Sequence, residues 1–326
     1  MSIRRAAAKF GSGALAALGL ALLAPRASQA EELRFGLSSA GLSYPFAAAI
    51  AKGFQDAARR AGARAVVLDA QGQVQKQAND IDDLIAQKPA GIAIMPLDST
   101  VAKAWVDRAT AAGAPVVAVG SLIGDPATRR ARDVYPKLVA LVSQDEVSAG
   151  EAAGELARGL LPKGHVAKIA VVEGAAGFPE VLQRLQGFRA ALDRAGVRYR
   201  IVASQPGDWT AEKAEAVCEN MLAAHPDIDL FFNEADDMAV GCAHAAKIAG
   251  SNARLIGIGG SRLAVAAIKA GRLDGTVCYK PEALGALAFQ ALYEAAKNRG
   301  PPRAAFVTYQ TPGVTRANVA QCVGQW

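Results

Sequence analysis

Residues 91–120 read GIAIMPLDSTVAKAWVDRATAAGAPVVAVG, and this stretch decides the fold. Its ends are the short apolar runs Gly91–Pro96 and Pro115–Gly120, and the amphipathic run Thr100–Ala112 lies between them. Strands that are apolar at nearly every residue are typical of a parallel sheet covered by helices, because both of their faces are buried. The stretch therefore predicts a strand–helix–strand unit of an α/β protein.

The same alternation extends in both directions along the chain. On the N-terminal side it predicts strands at Leu33–Ser39 and Ala65–Asp69, with helices at Phe46–Ala61 and Val74–Gln87. Irregular, charged sequence follows from Ile123 to Lys137, and then the pattern restarts. The second run predicts strands at Leu138–Ser143, Lys168–Glu173, Arg200–Ser204, Leu230–Asn233 and Leu255–Gly259. Its helices are predicted at Ser148–Leu161, Pro179–Ala195, Ala211–Ala224 and Asp236–Ala249.

Two consecutive α/β runs predict two doubly wound parallel-sheet lobes. The length of 326 residues agrees, because one core usually serves roughly 100–200 residues. From Thr276 onward the sequence predicts one more strand, a helix at Glu282–Arg299 and a last strand at Ala305–Gln310.

The first 30 residues have the pattern of an export signal. Arg4, Arg5 and Lys9 precede an apolar run over 13–24, and Ser28 and Ala30 supply the small residues that a signal peptidase reads. The apolar run is shorter than the roughly 20 residues of a spanning helix. We expect a cleaved signal peptide at residues 1–30 and a periplasmic protein, exported by either the general or the twin-arginine route.

Removal of this segment changes the charge balance of the chain. The sequence has 36 basic and 30 acidic residues, and the first 30 residues hold four of the basic ones and no acidic one. The remaining chain has 32 basic and 30 acidic residues, a net charge of +2. Nothing in this balance indicates nucleic-acid binding.

The four cysteines allow three disulfide pairings, and their spacing resembles no zinc site. Cys218 and Cys242 lie on successive predicted helices that flank one strand, which favours a disulfide between them. Cys278 and Cys322 are the other two, and four buried free thiols are the alternative. We find no catalytic constellation around His165, His225 or His244, so we expect neither an enzyme nor a cofactor or metal.

Several motifs resemble the ribose-binding-protein group of periplasmic sugar-binding proteins, which have the type I periplasmic binding fold. The resemblance covers roughly residues 33–312. Its more specific motifs are Gln205-Pro206-Gly207-Asp208-Trp209 and Asp236-Asp237-Met238-Ala239. Further matches are Ser43-Tyr44-Pro45-Phe46, Val66-Val67-Leu68-Asp69, Pro96-Leu97-Asp98-Ser99 and Ala224-His225-Pro226-Asp227.

The resemblance implies two lobes joined by a three-segment hinge, with crossings near 143–145, 279–281 and 310–312. It assigns residues 31–143 and 281–310 to the N-terminal lobe and residues 144–280 and 311–326 to the C-terminal lobe. It also implies a monomeric solute-binding protein of an ABC-type importer, with a permease in the inner membrane as partner. Ligand would enter between the lobes and favour their closure.

The resemblance implies a set of ligand-binding residues. Arg184 matches the arginine that grips the ligand, and Phe46 and Trp209 match stacking rings, since flat rings pack against the C–H faces of sugars. Tyr44 lies where the family has a polar side chain. The complete predicted set is Ser39, Tyr44, Phe46, Met95, Ser121, Arg184, Trp209, Glu234, Ala235, Gly259 and Tyr279.

Several of these positions depart from the family pattern. Sugar binders of this group have an Asp-Arg pair where this chain has Gly120-Ser121, and polar residues where it has Met95, Ala235, Gly259 and Tyr279. The pocket has thus lost most groups that read sugar hydroxyls. We expect a sugar-like ligand with fewer hydroxyls than ribose, an anion or a partly apolar molecule; if Glu234 balances Arg184, a neutral ligand is favoured.

The sequence leaves open both the role of the protein and the identity of its ligand. The same fold serves exported sensors that present ligands to chemoreceptors or sensor kinases. The ligand is also open, since a small non-sugar carboxylate would suit Arg184 as well as a sugar does.

Overall fold

The computed structural model describes residues 32–297 and 304–326, so the predicted signal peptide at 1–30 lies outside the described residues. The strands are β1 (Arg34–Ser39), β2 (Arg64–Asp69), β3 (Gly91–Ile94), β4 (Val116–Val119), β5 (Ala140–Val142), β6 (Ala167–Glu173), β7 (Tyr199–Pro206), β8 (Leu230–Asn233), β9 (Arg254–Gly259), β10 (Gly275–Cys278), β11 (Ala305–Val307) and β12 (Gly313–Thr315). The helices are α1 (Pro45–Arg60), α2 (Val74–Ala86), α3 (Ser99–Ala111), α4 (Glu146–Leu160), α5 (Pro179–Arg194), α6 (Ala211–Ala224), α7 (Asp236–Ile248), α8 (Arg262–Lys269) and α9 (Pro281–Ala296).

The strands form two six-stranded sheets with the same construction. The first has the order β11-β5-β4-β3-β1-β2 and is parallel throughout. The second has the order β12-β10-β9-β8-β6-β7, and only β12 runs antiparallel to its neighbour. Every residue of β3, β4 and β8 is buried, as the near-continuous apolar runs predicted. The predicted fold class, two doubly wound α/β lobes, is confirmed.

One assignment made from the periodicity alone is wrong. The pattern grouped Leu138–Ser143 with the second run of strands, but β5 pairs with β4 and β11 and belongs to the first sheet. The irregular segment at 123–137 has the composition of a linker between two runs, but it is an insertion between two strands of the first sheet. The periodicity-based assignment was wrong for this reason. The very short β12 was not predicted at all.

The chain passes between the two sheets three times. These passages lie between β5 and β6, between β10 and β11, and between β11 and β12. The crossings expected near 143–145, 279–281 and 310–312 fall within these three connections. Helix α9 packs against α1 and against strands of the first sheet, although it follows β10 of the second sheet.

Two helix pairs cross closely at paired glycines. In α1 and α9, a Cβ on Gly53 would lie 2.0 Å from the carbonyl oxygen of Glu282, and a Cβ on Gly285 would lie 2.0 Å from that of Ile50. In α4 and α5, a Cβ on Gly187 would lie 2.0 Å from the carbonyl oxygen of Val147. Only glycine permits such close contact between two helix backbones.

Two disulfides reinforce the half of the molecule that contains the second sheet. Cys218 of α6 pairs with Cys242 of α7, as predicted, and Cys278 of β10 pairs with Cys322. The second bridge ties the segment around 322–326 to the end of β10, the strand next to the sheet edge. Within residues 32–297 and 304–326, no helix has the length and apolarity needed to cross a membrane.

Candidate ligand-binding site

A cavity of about 150 Å³ lies between the two sheets. The segments that follow β1, β3, β4, β8, β9 and β10 reach it, and parallel sheets present ligands at these carboxyl ends. Nine of the eleven predicted site residues line it: Tyr44, Phe46, Met95, Ser121, Arg184, Trp209, Ala235, Gly259 and Tyr279.

The two remaining predicted residues, Ser39 and Glu234, do not line the cavity. Both are buried behind its wall. The Glu234 carboxylate accepts a hydrogen bond from the backbone N–H of Gly174 at 2.9 Å, and its backbone carbonyl, rather than its side chain, meets Arg184. The sequence left open whether Glu234 balances the charge of Arg184; in the structure the Glu234 side chain does not hydrogen-bond to this arginine, and Glu146 pairs with it instead.

Arg184 is held by Glu146, the first residue of α4. The guanidinium donates from Nε to Oε2 at 2.7 Å and from Nη2 to Oε1 at 3.1 Å. It also donates from Nη1 to the carbonyl oxygen of Glu234 at 2.6 Å. Since a guanidinium has five N–H donors, this arrangement leaves two for a ligand. Burial opposes the charge, but Glu146, Tyr279 and Glu180 together raise the pKa of Arg184 well above its usual value, with Glu146 contributing most.

Glu146 accepts further hydrogen bonds from two residues of the same half of the molecule. The hydroxyl of Tyr279 donates to it at 2.6 Å, and so does Nε2 of Gln144. Burial raises the pKa of the Tyr279 hydroxyl well above 10, so the phenol keeps its proton. A buried ion pair with these additional bonds is a rigid, neutral unit.

Aromatic rings surround this unit. The guanidinium carbon of Arg184 lies 5.5 Å from the ring centroids of both Trp209 and Tyr279. Phe46 reaches in from α1, with its centroid 6.1 Å from Tyr279 and 5.5 Å from Trp326. Both sheets therefore contribute rings to the cavity.

The position of Trp209 depends on an unusual backbone. Asp208 and Trp209 have φ angles of 50° and 64°, in the left-handed region that non-glycine residues seldom adopt. The turn brings the indole against Gly174, where a Cβ would lie 1.8 Å from the ring. Gly174 must therefore be a glycine for Trp209 to face the cavity.

A family model described as a periplasmic binding protein domain matches residues 35–300. The chain belongs to the periplasmic binding protein family. The ribose import binding protein RbsB of Bacillus subtilis is 34% identical over 261 residues, covering 80% of this chain and 81% of its own. The D-allose-binding periplasmic protein of Escherichia coli is 30% identical over 295 residues, covering 89% and 91%. The predicted family and the main prediction of a periplasmic solute-binding protein are confirmed.

Solved structures agree with this membership. An ABC transporter solute-binding protein from Mycobacterium smegmatis with bound glycerol is 29% identical and superposes with a TM-score of 0.80. The match covers 90% of this chain and 98% of that chain. A galactofuranose-binding protein has a TM-score of 0.79 at 22% identity and shows the shared fold alone.

This periplasmic binding protein also has acidic groups at its cavity that the sequence analysis missed. Glu180, in the first turn of α5, accepts a hydrogen bond from the Ser121 hydroxyl, which lies beyond the end of β4. Burial, reinforced by the nearby charge of Glu146, raises the pKa of Glu180 to about 7. Glu234, which was predicted but lies behind the cavity wall, is also affected by burial, which raises its pKa to about 8.

Asp236 and Asp237 of α7 line the cavity as well. Asp236 accepts bonds from the backbone N–H of Ser261 at 2.7 Å and from the Thr276 hydroxyl at 2.5 Å. Burial raises its pKa to about 6, and burial also raises the pKa of Asp237. In this protein both residues belong to the Asp-Asp-Met-Ala motif. Because this motif stands at the start of a helix that follows a strand, its position could have identified them as site residues.

Other missed residues had weaker signals or none. Gln144 lies in the first crossing and Glu146 follows it directly. Since a crossing between lobes must border the cleft, their positions were informative. Trp326 lies far from every motif, and the Cys278–Cys322 bridge, together with hydrogen bonds to Arg262 and Glu282, brings its segment to the cavity. Among the described residues, no group of three or more His, Cys, Asp or Glu side chains has the arrangement of a metal site.

Proposed function

We propose that this protein is the solute-binding component of an ABC-type importer and that it captures a small carbohydrate or polyol in the cavity. The observation that carries the proposal is the Arg184–Glu146 pair enclosed by rings from both sheets. Two spare guanidinium donors suit ligand oxygens, while the rings suit the C–H face of a carbohydrate. The names of the ribose and allose relatives support this ligand class.

The same pair argues against a small carboxylate as the ligand. An anion is drawn to an arginine whose charge is uncompensated, and here Glu146 already neutralises Arg184. Met95, Ala235 and Gly259 offer no side-chain polar groups, so the ligand has fewer hydroxyls to satisfy than the ligand of a more polar site. A neutral or cationic sugar-like molecule with one apolar face fits best.

For transport, the permease must distinguish the ligand-bound protein from the empty protein. In our proposal the exported, monomeric protein closes around the ligand, because contacts from both lobes exist only in the closed form. The closed form then docks on a permease in the inner membrane. Presentation to a chemoreceptor or sensor kinase is the alternative use of the same motion.

A thermal-shift screen tests the ligand class. The panel holds sugars and polyols, each also as its amino- and carboxylate-substituted form, and a ligand that binds only the folded protein raises its melting temperature. We expect sugar-like compounds to raise it and simple carboxylates to leave it unchanged. Arg184→Ala and Trp209→Ala should abolish the shift, whereas the exposed control Arg189→Ala should keep it.

X-ray scattering tests the closure. The radius of gyration should fall when a compound that raised the melting temperature is added. Carboxylates as the only hits, or a full shift in both cavity variants, would contradict the proposed ligand class and site. An unchanged radius of gyration would contradict the closure.

A further inference from the structure

The charges that line the cavity do not sum to zero. Of the described residues that line it, Arg184 is the only basic one, and Glu146 already neutralises it. Glu180, Asp236 and Asp237 line the same cavity without a cationic partner. Asp236 accepts hydrogen bonds at both oxygens and Asp237 is only half-buried, whereas Glu180 is buried and accepts one hydrogen bond, so Glu180 is the buried carboxyl with the least compensation.

Glu180 also has a free acceptor. Its side chain is buried, 7% exposed, and Oε1 accepts the bond from Ser121. Within the part of the chain that the structure describes, no group hydrogen-bonds to Oε2. Oε1 of Gln144, which lines the same cavity, also has no hydrogen-bond partner among the described residues. A buried acceptor atom without a hydrogen-bond partner is costly, so a ligand that donates to Oε2 of Glu180 would be favoured.

We infer that the ligand carries an ionised amino group, and that Glu180 with Gln144 forms the subsite that receives it. This inference rests on the proposed function and narrows its ligand class to amino sugars and amino polyols. An ammonium group supplies three donors and one positive charge. It would bond Oε2 of Glu180 and Oε1 of Gln144 while it neutralises the excess carboxylate.

The surroundings suit a cation rather than a neutral hydroxyl. The faces of Trp209 and Tyr279 carry negative charge density and already flank one cation, Arg184. Glu180 lies in the first turn of α5, where the helix dipole favours the ionised carboxyl. Its raised pKa reflects burial without a counter-ion, which is the deficit that a bound ammonium would remove.

Calorimetric titration with matched probes tests the inference at about pH 7. The pairs are glucose and glucosamine, galactose and galactosamine, and glycerol and 2-aminopropane-1,3-diol, which differ by one hydroxyl replaced by an ammonium group. We expect the amine of at least one pair to bind at least about tenfold more tightly than its neutral partner, since loss of a buried charge pair costs at least this factor.

Glu180→Gln removes the charge and keeps the shape. It should weaken amine binding at least about tenfold and change neutral-probe binding less than about threefold. Glu212→Gln, an exposed acid on α6, is the matched control and should change neither. Melting temperatures of both variants establish that they fold.

The contrary outcomes distinguish a failure of the amine inference from a failure of the proposed function. If the neutral partner binds as tightly as the amine in every pair, or if Glu180→Gln binds the amine as tightly as the wild type, the inference is overturned. The proposed function then stands on the neutral sugars that bind. If none of the six probes binds and no sugar or polyol raises the melting temperature, both claims fail.

Discussion

Glu146 supplies the counter-charge that allows Arg184 to remain ionised in a buried site. Glu146→Gln leaves the guanidinium buried, still bonded to the Glu234 carbonyl but without a counter-charge. We expect a loss of about 3–5 kcal/mol in the free energy of unfolding, measured in urea, because an uncompensated buried charge is costly. Glu151→Gln, which breaks the exposed pair with Arg194, should cost less than about 1 kcal/mol.

Removing both charges is the sharper comparison. The double variant Glu146→Gln/Arg184→Met should be destabilised by less than the sum of the two single variants, because no charge stays buried alone. It should also fail to bind ligand, like Arg184→Ala. Strict additivity would show that the two side chains contribute independently and that the ion pair is not a unit.

Individual site residues were predictable only where a motif carried them. Arg184 and Trp209 stand in recognisable settings, and both line the cavity. Ser39 and Glu234 also stand at strand ends, but their side chains are buried behind the cavity wall. The periodicity of a strand does not predict on which side of its end a side chain lies. Glu180 escaped notice because its role depends on Ser121, which is 59 residues away along the chain.

The two disulfides connect different kinds of element and should have separable effects. Cys218–Cys242 joins neighbouring helices across 24 residues, and Cys278–Cys322 joins a strand to the segment that carries Trp326 across 44. From these loop lengths, Cys218→Ala/Cys242→Ala and Cys278→Ala/Cys322→Ala should each lower the free energy of unfolding by roughly 3–4 kcal/mol.

Ligand affinity should distinguish the two bridges. Only Cys278→Ala/Cys322→Ala should weaken binding, because only that bridge anchors Trp326, which lines the cavity and packs on Phe46. Calorimetric titration of both variants with one ligand from the thermal-shift screen is the measurement. Equal losses of affinity in the two variants would show that the bridges act through general stability alone.

Elements were predictable in proportion to their length and periodicity. The long amphipathic helices α1, α5 and α9 were found within a residue or two at their starts, since proline marks each first turn. Strand β5 was found, but periodicity alone grouped it with the wrong run of strands, because sheet membership depends on pairing between distant segments; the family resemblance placed residues 31–143 in one lobe. The three residues of β12 carry no period that could be read.

At the scale of the whole molecule, the Ser121–Glu180 hydrogen bond joins the two lobes across the cavity. Ser121 follows β4 of the first sheet, and Glu180 belongs to α5, beside the second sheet. Opening the cleft would expose Glu180 to water and return its pKa toward 4.5, whereas the closed arrangement raises that pKa to about 7. Glu146, Arg184 and Ser121 are the groups that face it.

The sign of the resulting pH dependence follows from the raised pKa. A carboxyl that binds its proton more tightly in the closed form favours closure at low pH, and this contribution is lost as the pH rises through about 7. Glu234 and Asp236 also have raised pKa values, but their partners Gly174, Ser261 and Thr276 all lie beside the second sheet. The hydrogen bonds of these two carboxyls form within one lobe and stay intact when the cleft opens, whereas the Ser121–Glu180 bond breaks.

The ligand-free protein should therefore be more open at about pH 8 than at about pH 5, seen as a larger radius of gyration in X-ray scattering. Glu180→Gln should remove most of this change, because an amide does not titrate, while Glu212→Gln should keep it. An ammonium-bearing ligand would reverse the trend, since its charge replaces the missing proton on Glu180 and holds the lobes together at high pH. A radius of gyration that is equally pH-dependent in wild type and Glu180→Gln would assign the opening to another group.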